Sequence, residues 1–581
     1  MRRVIRFASL VVLALALIQS DMPFVLFPGS PPDPSKLAIR IGVYTGVRFL
    51  VIAICLVNLV WKRRKFREDI KLVWDYLARN SAPSRPEARP RMWKTITISF
   101  AVLSQIPLCI PISEQIGGTN FFRMAHVAAN IEKMLTLGIG SAPAIYNKDV
   151  ARQFFDFPIY QATAALLCRI TGLSPVISGR LINLFVAIGS LLLLMTLLET
   201  LGLGRRAILA AIFFAALSPL SLFYSHAIIP DPLAQMLSLA SLIGYIRYEK
   251  ERAVNKHYWL MFLCGVLSAL IKSPTYFAIA VLIAIHTAWT RGWRGMMRPS
   301  FLLFFAALLA TVVAFTIVSG SGNVTVLGQS DLQWYFSTLA ERSQLRGYLR
   351  IGKTLFAKAV NPLAMIVAAL GVLSALIRYR KENNRLLLVW LLGCIVATMT
   401  FLGVHRHDYY QLIFVAPLAA FAGQGLVLLD SIIRDAIGNG LRGRLAVGVV
   451  LAIFALFAPY HEIDTFLQMN QSRLGGRDKT GKWLQEVTSP KDFIVYALDG
   501  EGWDPSYLYF AKRDGYNLDC DQSSKSLDEI RERFGPSYSN LYLFVPRALK
   551  ENCAIRAAVL PSQPARSSAH GELFALSMPG I

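Results

Sequence analysis

Runs of about 18 or more apolar residues recur along most of this 581-residue chain, and they constrain its fold more than any other feature. A helix of that length spans the hydrocarbon layer of a bilayer, where every backbone polar group must be satisfied internally. The composition agrees, since only 17% of the residues are charged and mean hydropathy is +0.46, whereas soluble proteins carry nearer a quarter charged residues. The sequence therefore predicts an α-helical polytopic membrane protein.

The positive charge of the chain indicates how the helices are oriented. Net charge is +24, and residues 62–94 alone hold 11 Lys or Arg against 4 Asp or Glu. The basic clusters lie between apolar runs, which is typical of cytoplasmic loops and argues against nucleic acid as a partner. Counting runs with this rule predicts about 13 spans, among them 207–223 and 356–377, with the N-terminus inside and the C-terminus outside.

This topology divides the chain into four predicted regions. Two N-terminal spans occupy residues 1–61, and a basic cytoplasmic loop occupies 62–94. A larger transmembrane domain covers 95–460, including a large outer loop with amphipathic helices at 113–180. Residues 461–581 alternate buried strands (493–498, 540–545) with helices (526–534, 548–556), which predicts a small soluble α/β domain. Whether Cys520 and Cys553 of this domain pair is left open by the sequence.

Three polar motifs interrupt the apolar chain, and the topology places all of them on the outer face. They are FFDFPIYQ (154–161), SHAIIPD (225–231) and HRHDYYQ (405–411). Asp156 and Asp231 are the acids of the first two, and each is either an ordinary helix-capping residue or a functional carboxylate in a partly apolar niche. Polar side chains gathered from distant stretches onto one face predict a site there.

Cations accompany these motifs on the same face. Arg123, Arg180 and Lys272 all lie outside although most positive charge is inside. Each one alone is compatible with a side chain that extends to the lipid headgroups. Three together indicate an anionic ligand, and the phosphate of a lipid carrier lies at the right depth.

The third motif is too polar for a simple turn between spans. His405 and His407 alternate as metal ligands can, but the sequence offers no matching His or Cys set, so no firm metal or other cofactor is predicted. Hydrogen bonding to a sugar or sugar phosphate is favoured instead. Arg406 would share in it, with Tyr409 and Tyr410 as aromatic platforms.

The chain resembles the polyprenyl-phosphate-sugar-dependent glycosyltransferases of the GT-C fold. Five segments carry this resemblance, in this order along the chain: FRMAHVAANI, FDFPIYQ, FYSHAIIPD, ALIKSP and HDYYQLIFVAP. The similarity is greatest to bacterial members grouped with the family 39 protein mannosyltransferases and the lipid A aminoarabinose transferase. It covers residues 95–460. The resemblance implies transfer of a sugar from a polyprenyl monophosphate to an acceptor, with Arg123, Lys272, Asp231 and Asp156 at family positions.

Two departures affect the expected mechanism. The first-loop position that usually carries the catalytic aspartate in relatives is Asn120, and an amide cannot serve as a base. Where some relatives place a phosphate-binding lysine, this chain has Phe157. Asp156 is therefore the predicted base, with Glu114 as the second candidate. The WWDYG signature of oligosaccharyltransferases is absent, so oligosaccharide transfer is not expected.

The sequence thus predicts a glycosyltransferase whose partners are a polyprenyl-phosphate-linked sugar, an acceptor glycan, lipid or protein, and the membrane lipids. The expected location is the bacterial cytoplasmic membrane, with the active site and the C-terminal domain on the periplasmic side. The competing hypotheses are a transporter or flippase of lipid-linked sugars, and a non-enzymatic scaffold. The transporter is disfavoured because its site would lie near mid-span.

Overall fold

We describe the fold from a computed structural model of the protein. The described residues are 90–105, 116–138, 145–147, 150–152, 156–251, 255–318, 325–326, 329–330, 335–437, 445, 476–498, 505–520, 524–549, 553–554 and 564–576. The two N-terminal spans, most of the basic loop and of the last span, and Glu114 lie outside them.

The membrane domain is a succession of helices joined by short turns. In chain order they are α1 (Pro90–Leu103), α2 (Phe121–Leu137), α3 (Ile159–Thr171), α4 (Pro175–Thr200), α5 (Arg205–Ala216), α6 (Pro219–Tyr224), α7 (Asp231–Lys250), α8 (Asn255–Ile271), α9 (Ser273–Met296), α10 (Pro299–Val318), α11 (Leu339–Ser343), α12 (Leu345–Thr354), α13 (Pro362–Ile377), α14 (Glu382–Thr400) and α15 (Val415–Ile437). Within the described ranges, four helical segments are long and apolar enough to cross a membrane, or five if a bent pair counts as one. The protein is a multi-pass membrane protein, and the predicted total of about 13 spans stays a prediction.

Two predicted spans differ from the observed helices, for local reasons. The run predicted as one helix over 207–223 is divided after Ala216, because the Ser218 hydroxyl accepts from the amide of Ser221 and begins a new helix at Pro219. The run predicted over 356–377 is also divided: its first residues belong to a π-helical turn, Leu355–Ala359, that continues α12, and α13 begins at Pro362 after a bend of 104°. Proline lacks the amide that would continue the preceding helix.

Close helix packing in the membrane domain depends on small residues. A Cβ atom added at Gly371 of α13 would collide with the carbonyl oxygen of Phe421 in α15. One added at Gly425 of α15 would collide with the carbonyl oxygen of Val367 in α13. Small residues on both helices therefore let the two backbones approach closely, as is common between membrane helices that lack a hydrophobic driving force.

The stretch 113–180, predicted as a large outer loop, contains the two amphipathic helices that the sequence predicts, as α2 and α3. It also contains a short hairpin that periodicity did not predict, β1 (Ile145–Asn147) with β2 (Val150–Arg152). A second two-stranded hairpin, β3 (Thr325–Val326) with β4 (Gln329–Ser330), lies between α10 and α11. Strands of two or three residues are too short to give a readable alternation.

The C-terminal region is a small α/β unit. Its elements are α16 (Arg477–Val487), β5 (Phe493–Leu498), α17 (Ser506–Ala511), β6 (Asp514–Asp519), α18 (Ser524–Phe534), β7 (Leu541–Pro546), β8 (Arg566–Ser567) and β9 (Gly571–Ala575). The strand order is β2-β1-β6-β5-β7-β9-β8, with β6, β5 and β7 parallel. A buried apolar run predicted both β5 and β7, whereas β6 and β9 were not predicted. Of the helix predicted over 548–556, the described residues show a 3-10 turn at Arg547–Leu549.

Cys520 and Cys553 form a disulfide in this domain, with their Cα atoms 4.7 Å apart. The pairing resolves the alternative that the sequence left open. Such a bond is typical of domains outside the cytoplasm. It joins the end of β6 to the segment that follows β7 and closes a loop across the domain core.

The C-terminal domain contacts the outer loop through α2. Lys133 of α2 lies 2.5 Å from Asp514 at the start of β6, and Glu132 pairs with Lys512. The guanidinium of Arg477 lies 5.0 Å from the ring centroid of Phe121, at the first residue of α2. The soluble domain therefore contacts the helix whose first turn carries Arg123.

Exchanging the two charges on α2 is expected to loosen this contact. In Glu132→Lys/Lys133→Glu both pairs become repulsive although net charge is unchanged. Partly exposed pairs contribute about 0.2–1 kcal/mol each, so loss of both is expected to make amides of α2 exchange hydrogen about two- to thirtyfold faster. Adding Lys512→Glu and Asp514→Lys restores both pairs and should restore slow exchange. Equal exchange in the two-residue variant and the wild type would contradict the contact.

Candidate active site

An ion-paired cluster lies where α2, the first polar motif and the α8–α9 turn meet. The carboxylate of Asp156 accepts from the guanidinium of Arg123 and from Nζ of Lys272, the latter at 3.1 Å. All three side chains are almost fully buried, with Asp156 at 4% exposure. Removing charges from water is costly unless they are paired. The cluster is thus a built feature and not a chance surface contact.

A second carboxylate, that of Asp231, joins this cluster. Its Oδ1 lies 3.8 Å from Lys272 Nζ. Asp231 is 2% exposed, and in the part of the chain that the structure describes neither of its oxygens has a hydrogen-bond donor. A buried carboxylate without donors costs free energy unless a ligand or water satisfies it. Asp231 is thus the acid in the cluster whose oxygens remain available to a substrate.

Local sequence explains how these groups are held. Lys272 is the single residue between α8 and α9, and its extended φ of −155° separates the end of α8 from the start of α9 at Ser273, with Pro274 in the first turn. Asp231 stands at the first turn of α7 beside Pro232. The Asn183 amide donates to the carbonyl oxygens of Ala227 and Ile229, at 2.5 and 2.8 Å, and so fixes the turn before Asp231.

Aromatic rings of the third motif form a wall beside the cluster. Nζ of Lys272 lies 4.8 Å from the ring centroid of Tyr410 and 5.7 Å from that of Tyr409. The His407 ring stacks on Tyr409, with centroids 5.5 Å apart and an interplanar angle of 17°. Such cation–π and stacked contacts fix the orientation of the rings.

A second polar cluster continues from this wall. Asp408 accepts from Nζ of Lys358 at 2.8 Å, from the amide of Asn120 at 2.7 Å and from the hydroxyl of Tyr224. The Tyr224 ring contacts Tyr409 edge to face at 6.2 Å. The two clusters are therefore joined through one aromatic residue.

The pKa of His407 is lowered to about 4, chiefly by burial and also by the nearby cations Lys272, Arg350 and Arg123, while Asp408 opposes the shift. His407 is thus neutral at pH 7. A neutral imidazole offers one donor and one acceptor, which suits hydrogen bonding to a sugar hydroxyl. In the described ranges no group of three or more His, Cys, Asp or Glu side chains is placed to hold a metal ion.

These histidines make folding stability pH-dependent. The folded state binds fewer protons than the unfolded state between pH 6.5 and 4, because burial depresses the pKa of both His407 and His405, to about 4 and about 3. Stability therefore falls as pH decreases through this window. We expect the melting temperature to fall between pH 7 and 4.5, and His407→Asn to reduce that fall while His405 retains its share. An unchanged slope in the variant would contradict the burial of a neutral His407.

Several predicted site residues lie apart from the acid–cation cluster. The ring of His405 is fully buried, packs 5.7 Å from Tyr410 and approaches the hydroxyl of Thr398. Arg406 instead pairs with Glu341 at 2.6 Å, and its hydrogen bond lowers the pKa of that carboxyl. Arg180 is buried in the first turns of α4, where its charge acts on the Tyr160 hydroxyl.

Sequence reasoning missed part of the second cluster. Asp408 belongs to the third motif but was not selected as a site residue, and Lys358 was passed over as the edge of a predicted span. A signal was present for Lys358, because a lysine three residues before Asn361-Pro362 lies beside a helix break and not in a membrane interior. The contact of Asn120 with Asp408 joins residues 288 positions apart, and no local pattern predicts it.

The protein has the GT-C fold of membrane glycosyltransferases. Three solved structures share that fold with the chain. It is 14% identical to the oligosaccharyltransferase of Archaeoglobus fulgidus, with TM-score 0.55 over 79% of this chain and 70% of that one. It is 11% identical to ArnT from Cupriavidus metallidurans bound to undecaprenyl phosphate, with TM-score 0.54 over 85% of this chain and 100% of that one.

The third structure is the arabinofuranosyltransferase AftD from Mycobacteria, 15% identical, with TM-score 0.51 over 84% of this chain and 42% of that one. No protein-family model and no curated protein matches the sequence. At these identities the likeness concerns the fold. It confirms the GT-C fold that the motifs predicted.

Proposed function

We propose that the protein is an integral membrane glycosyltransferase. It moves a sugar from a polyprenyl-phosphate donor to an acceptor glycan, lipid or protein on the outer face. The observation that carries the proposal is the buried cluster of Arg123 and Lys272 with Asp156 and Asp231, at the helix ends of a GT-C fold. The ArnT structure, whose whole length the chain covers, holds undecaprenyl phosphate, which supports a lipid phosphate as donor group.

The proposed reaction is a single displacement at the anomeric carbon. The acceptor hydroxyl oxygen forms a bond to that carbon as the bond from carbon to the phosphate oxygen breaks. The bonding electron pair leaves with the polyprenyl phosphate, and the hydroxyl proton passes to a carboxylate. Arg123 and Lys272 stabilise the negative charge that develops on the leaving phosphate, which is the role of fixed cations in phosphoryl-group chemistry.

Asp156 and Asp231 are both candidates for the base, and their contacts favour a different role for each. Both oxygens of Asp156 already have cation partners. Both oxygens of Asp231 lack hydrogen-bond donors within the described residues. This difference supports Asp231 as the acceptor of the proton and Asp156 as the anion that holds the two cations. The sequence-based ranking of Asp156 as base, with Glu114 second, stays a prediction that the variants below test.

We assign the aromatic wall to the sugar. Tyr409, Tyr410 and His407 present rings and polar atoms next to Lys272, an arrangement that suits the apolar face and hydroxyls of a pyranose. Arg406 and His405 would then not touch the sugar; they would fix the loop that carries the aromatic wall. Arg180 stays a predicted anion-binding residue at the start of α4.

For the location, we propose the bacterial cytoplasmic membrane, with the site and the C-terminal domain on the periplasmic side. The basic loops between spans support this orientation. The disulfide in the C-terminal domain also suits an oxidising compartment.

A transporter of lipid-linked sugars is the second candidate. Transporter sites lie near the bilayer midplane between broken helices. Here Asp231 and Lys272 stand at helix termini, at the first turn of α7 and in the α8–α9 turn. That placement favours a reaction at the outer surface.

Lipid-linked sugar profiling of a strain lacking the gene tests the function. We expect one polyprenyl-phosphate sugar to accumulate and one envelope component to lose that sugar. The purified protein in lipid nanodiscs should then release polyprenyl phosphate from that donor when acceptor is added. Movement of the intact donor between leaflets of a liposome, without sugar transfer, would support the transporter instead.

A further inference from the structure

Asn120 has an unusual conformation for a residue that precedes a helix. Its backbone is left-handed, with φ 59° and ψ 30°, and its side chain makes no capping hydrogen bond to α2. The amide instead donates to Asp408 at 2.7 Å and to the Tyr224 hydroxyl at 2.9 Å. Asparagine tolerates this backbone region better than most residues, but it ordinarily caps a helix at such a position. The side chain of Asn120 therefore hydrogen-bonds to Asp408 instead of capping α2.

Asp408 is surrounded by donors. It is 6% exposed, and it accepts from Asn120, Tyr224 and the ammonium of Lys358. Burial and the neighbouring charge of Asp408 raise the pKa of Tyr224 well above its ordinary value, so this hydroxyl keeps its proton and can donate. One cation and two neutral donors are the partners expected of an ionised carboxylate.

Only one of positions 120 and 408 can carry a negative charge in this geometry. Two carboxylates at hydrogen-bond distance repel unless they share a proton. The chain avoids this repulsion by having an amide at 120 and an acid at 408. Positions 120 and 408 therefore carry one negative charge between them, and in this protein it is on Asp408.

We propose that Asp408 carries the single negative charge that positions 120 and 408 can hold, with Asn120 as its neutral donor and Lys358 as its counter-ion. The inference rests on the proposed function. Asp408 is a positioning residue: it pairs with Lys358 and orients the hydroxyl of Tyr224, whose ring packs edge to face on Tyr409. The negative charge beside Asn120 thus comes from a residue 288 positions later in the sequence.

Exchanging the two side chains tests the proposal. The four proteins are the wild type, Asn120→Asp, Asp408→Asn and the double variant Asn120→Asp/Asp408→Asn, compared in full-length form for sugar transfer and melting temperature. We expect each single variant to lose about tenfold or more in kcat, and the double variant to return to within about threefold of wild type. Asp430→Asn, near the far end of α15, is the matched aspartate control and should leave kcat unchanged.

The pH profile separates this role from a merely structural one. In Asn120→Asp two adjacent carboxylates share the site, so taking up one proton restores the single charge. Its activity relative to wild type should rise as pH is lowered from 8 to 6. A double variant no more active than Asp408→Asn would overturn the proposal, as would a flat relative profile.

The same proteins distinguish this inference from the proposed function. If the wild type transfers no sugar, the proposed function fails, and the melting temperatures still report on the pairing. The double variant should then be more stable than either single variant. If Asp408→Asn does not fold, Asn120→Asp and the double variant decide the outcome, since folding and activity recovered by the second substitution support the exchange and their absence refutes it.

Discussion

Asp231→Asn is expected to lower the kcat for sugar transfer by about a hundredfold or more, with the donor KM changed by only a few fold. Loss of a positioned general base typically costs about 10² to 10⁴ in rate. Asparagine keeps the size of the side chain and removes its capacity to accept a proton. Because neither oxygen of Asp231 has a donor within the described residues, the substitution breaks no hydrogen bond that the fold needs.

The measurement is steady-state transfer by the purified protein, with donor and acceptor varied separately. Asp231→Glu serves as the conservative variant and should retain more activity than Asp231→Asn. The melting temperature checks that Asp231→Asn is folded. If kcat stays within threefold of wild type in a folded protein, Asp231 is not the base, and the assignment returns to Asp156 or Glu114.

The membrane domain was largely predictable, because a helix in a bilayer needs only a long apolar run, and such runs are visible without any periodicity. The exceptions come from single residues. Ser218 and Pro219 divide one run, and Pro362 bends the chain at the start of another. Each is a local capping or proline effect that an average over a window of about 19 residues conceals.

The acid–cation cluster was predictable in outline for a different reason. Asp156, Asp231 and Lys272 are polar residues at ends of apolar runs on one face, so topology alone brings them near each other. What topology does not determine is which atom meets which. That Lys272 contacts both acids, while Asp156 takes a second cation, depends on side-chain packing that only coordinates show.

The third motif shows where reading a motif as one unit fails. Its residues lie in two short 3-10 turns, Val404–Arg406 and Asp408–Phe414, and consecutive side chains on such tight turns point in different directions. Arg406 meets Glu341, His407 stacks on Tyr409, and Asp408 meets Lys358. Adjacent residues of one seven-residue motif thus contact three different sets of partners.

Asp156→Asn is expected to abolish transfer with expression intact, because Arg123 and Lys272 lose the anion that holds them. Kinetics can distinguish this effect from the loss of a base. Removing this carboxylate leaves Arg123 and Lys272 buried without it. Breaking a buried ion pair from one side costs about 3–5 kcal/mol. If Asp156 organises the cations, the donor KM should rise and the melting temperature should fall.

A second substitution separates the two roles of Asp156. In Asp156→Asn/Arg123→Met the guanidinium that Asp156 paired is removed, while Lys272 keeps its contact with Asp231. The melting temperature should then recover relative to Asp156→Asn while transfer stays lost, because a cation for the donor phosphate is now missing. If Asp156 is instead the base, Asp156→Asn should lower kcat at an unchanged donor KM. Full transfer by Asp156→Asn would exclude both roles. The pattern of KM, kcat and stability across Asp156 and Asp231 variants therefore assigns the proton to one acid and the cations to the other.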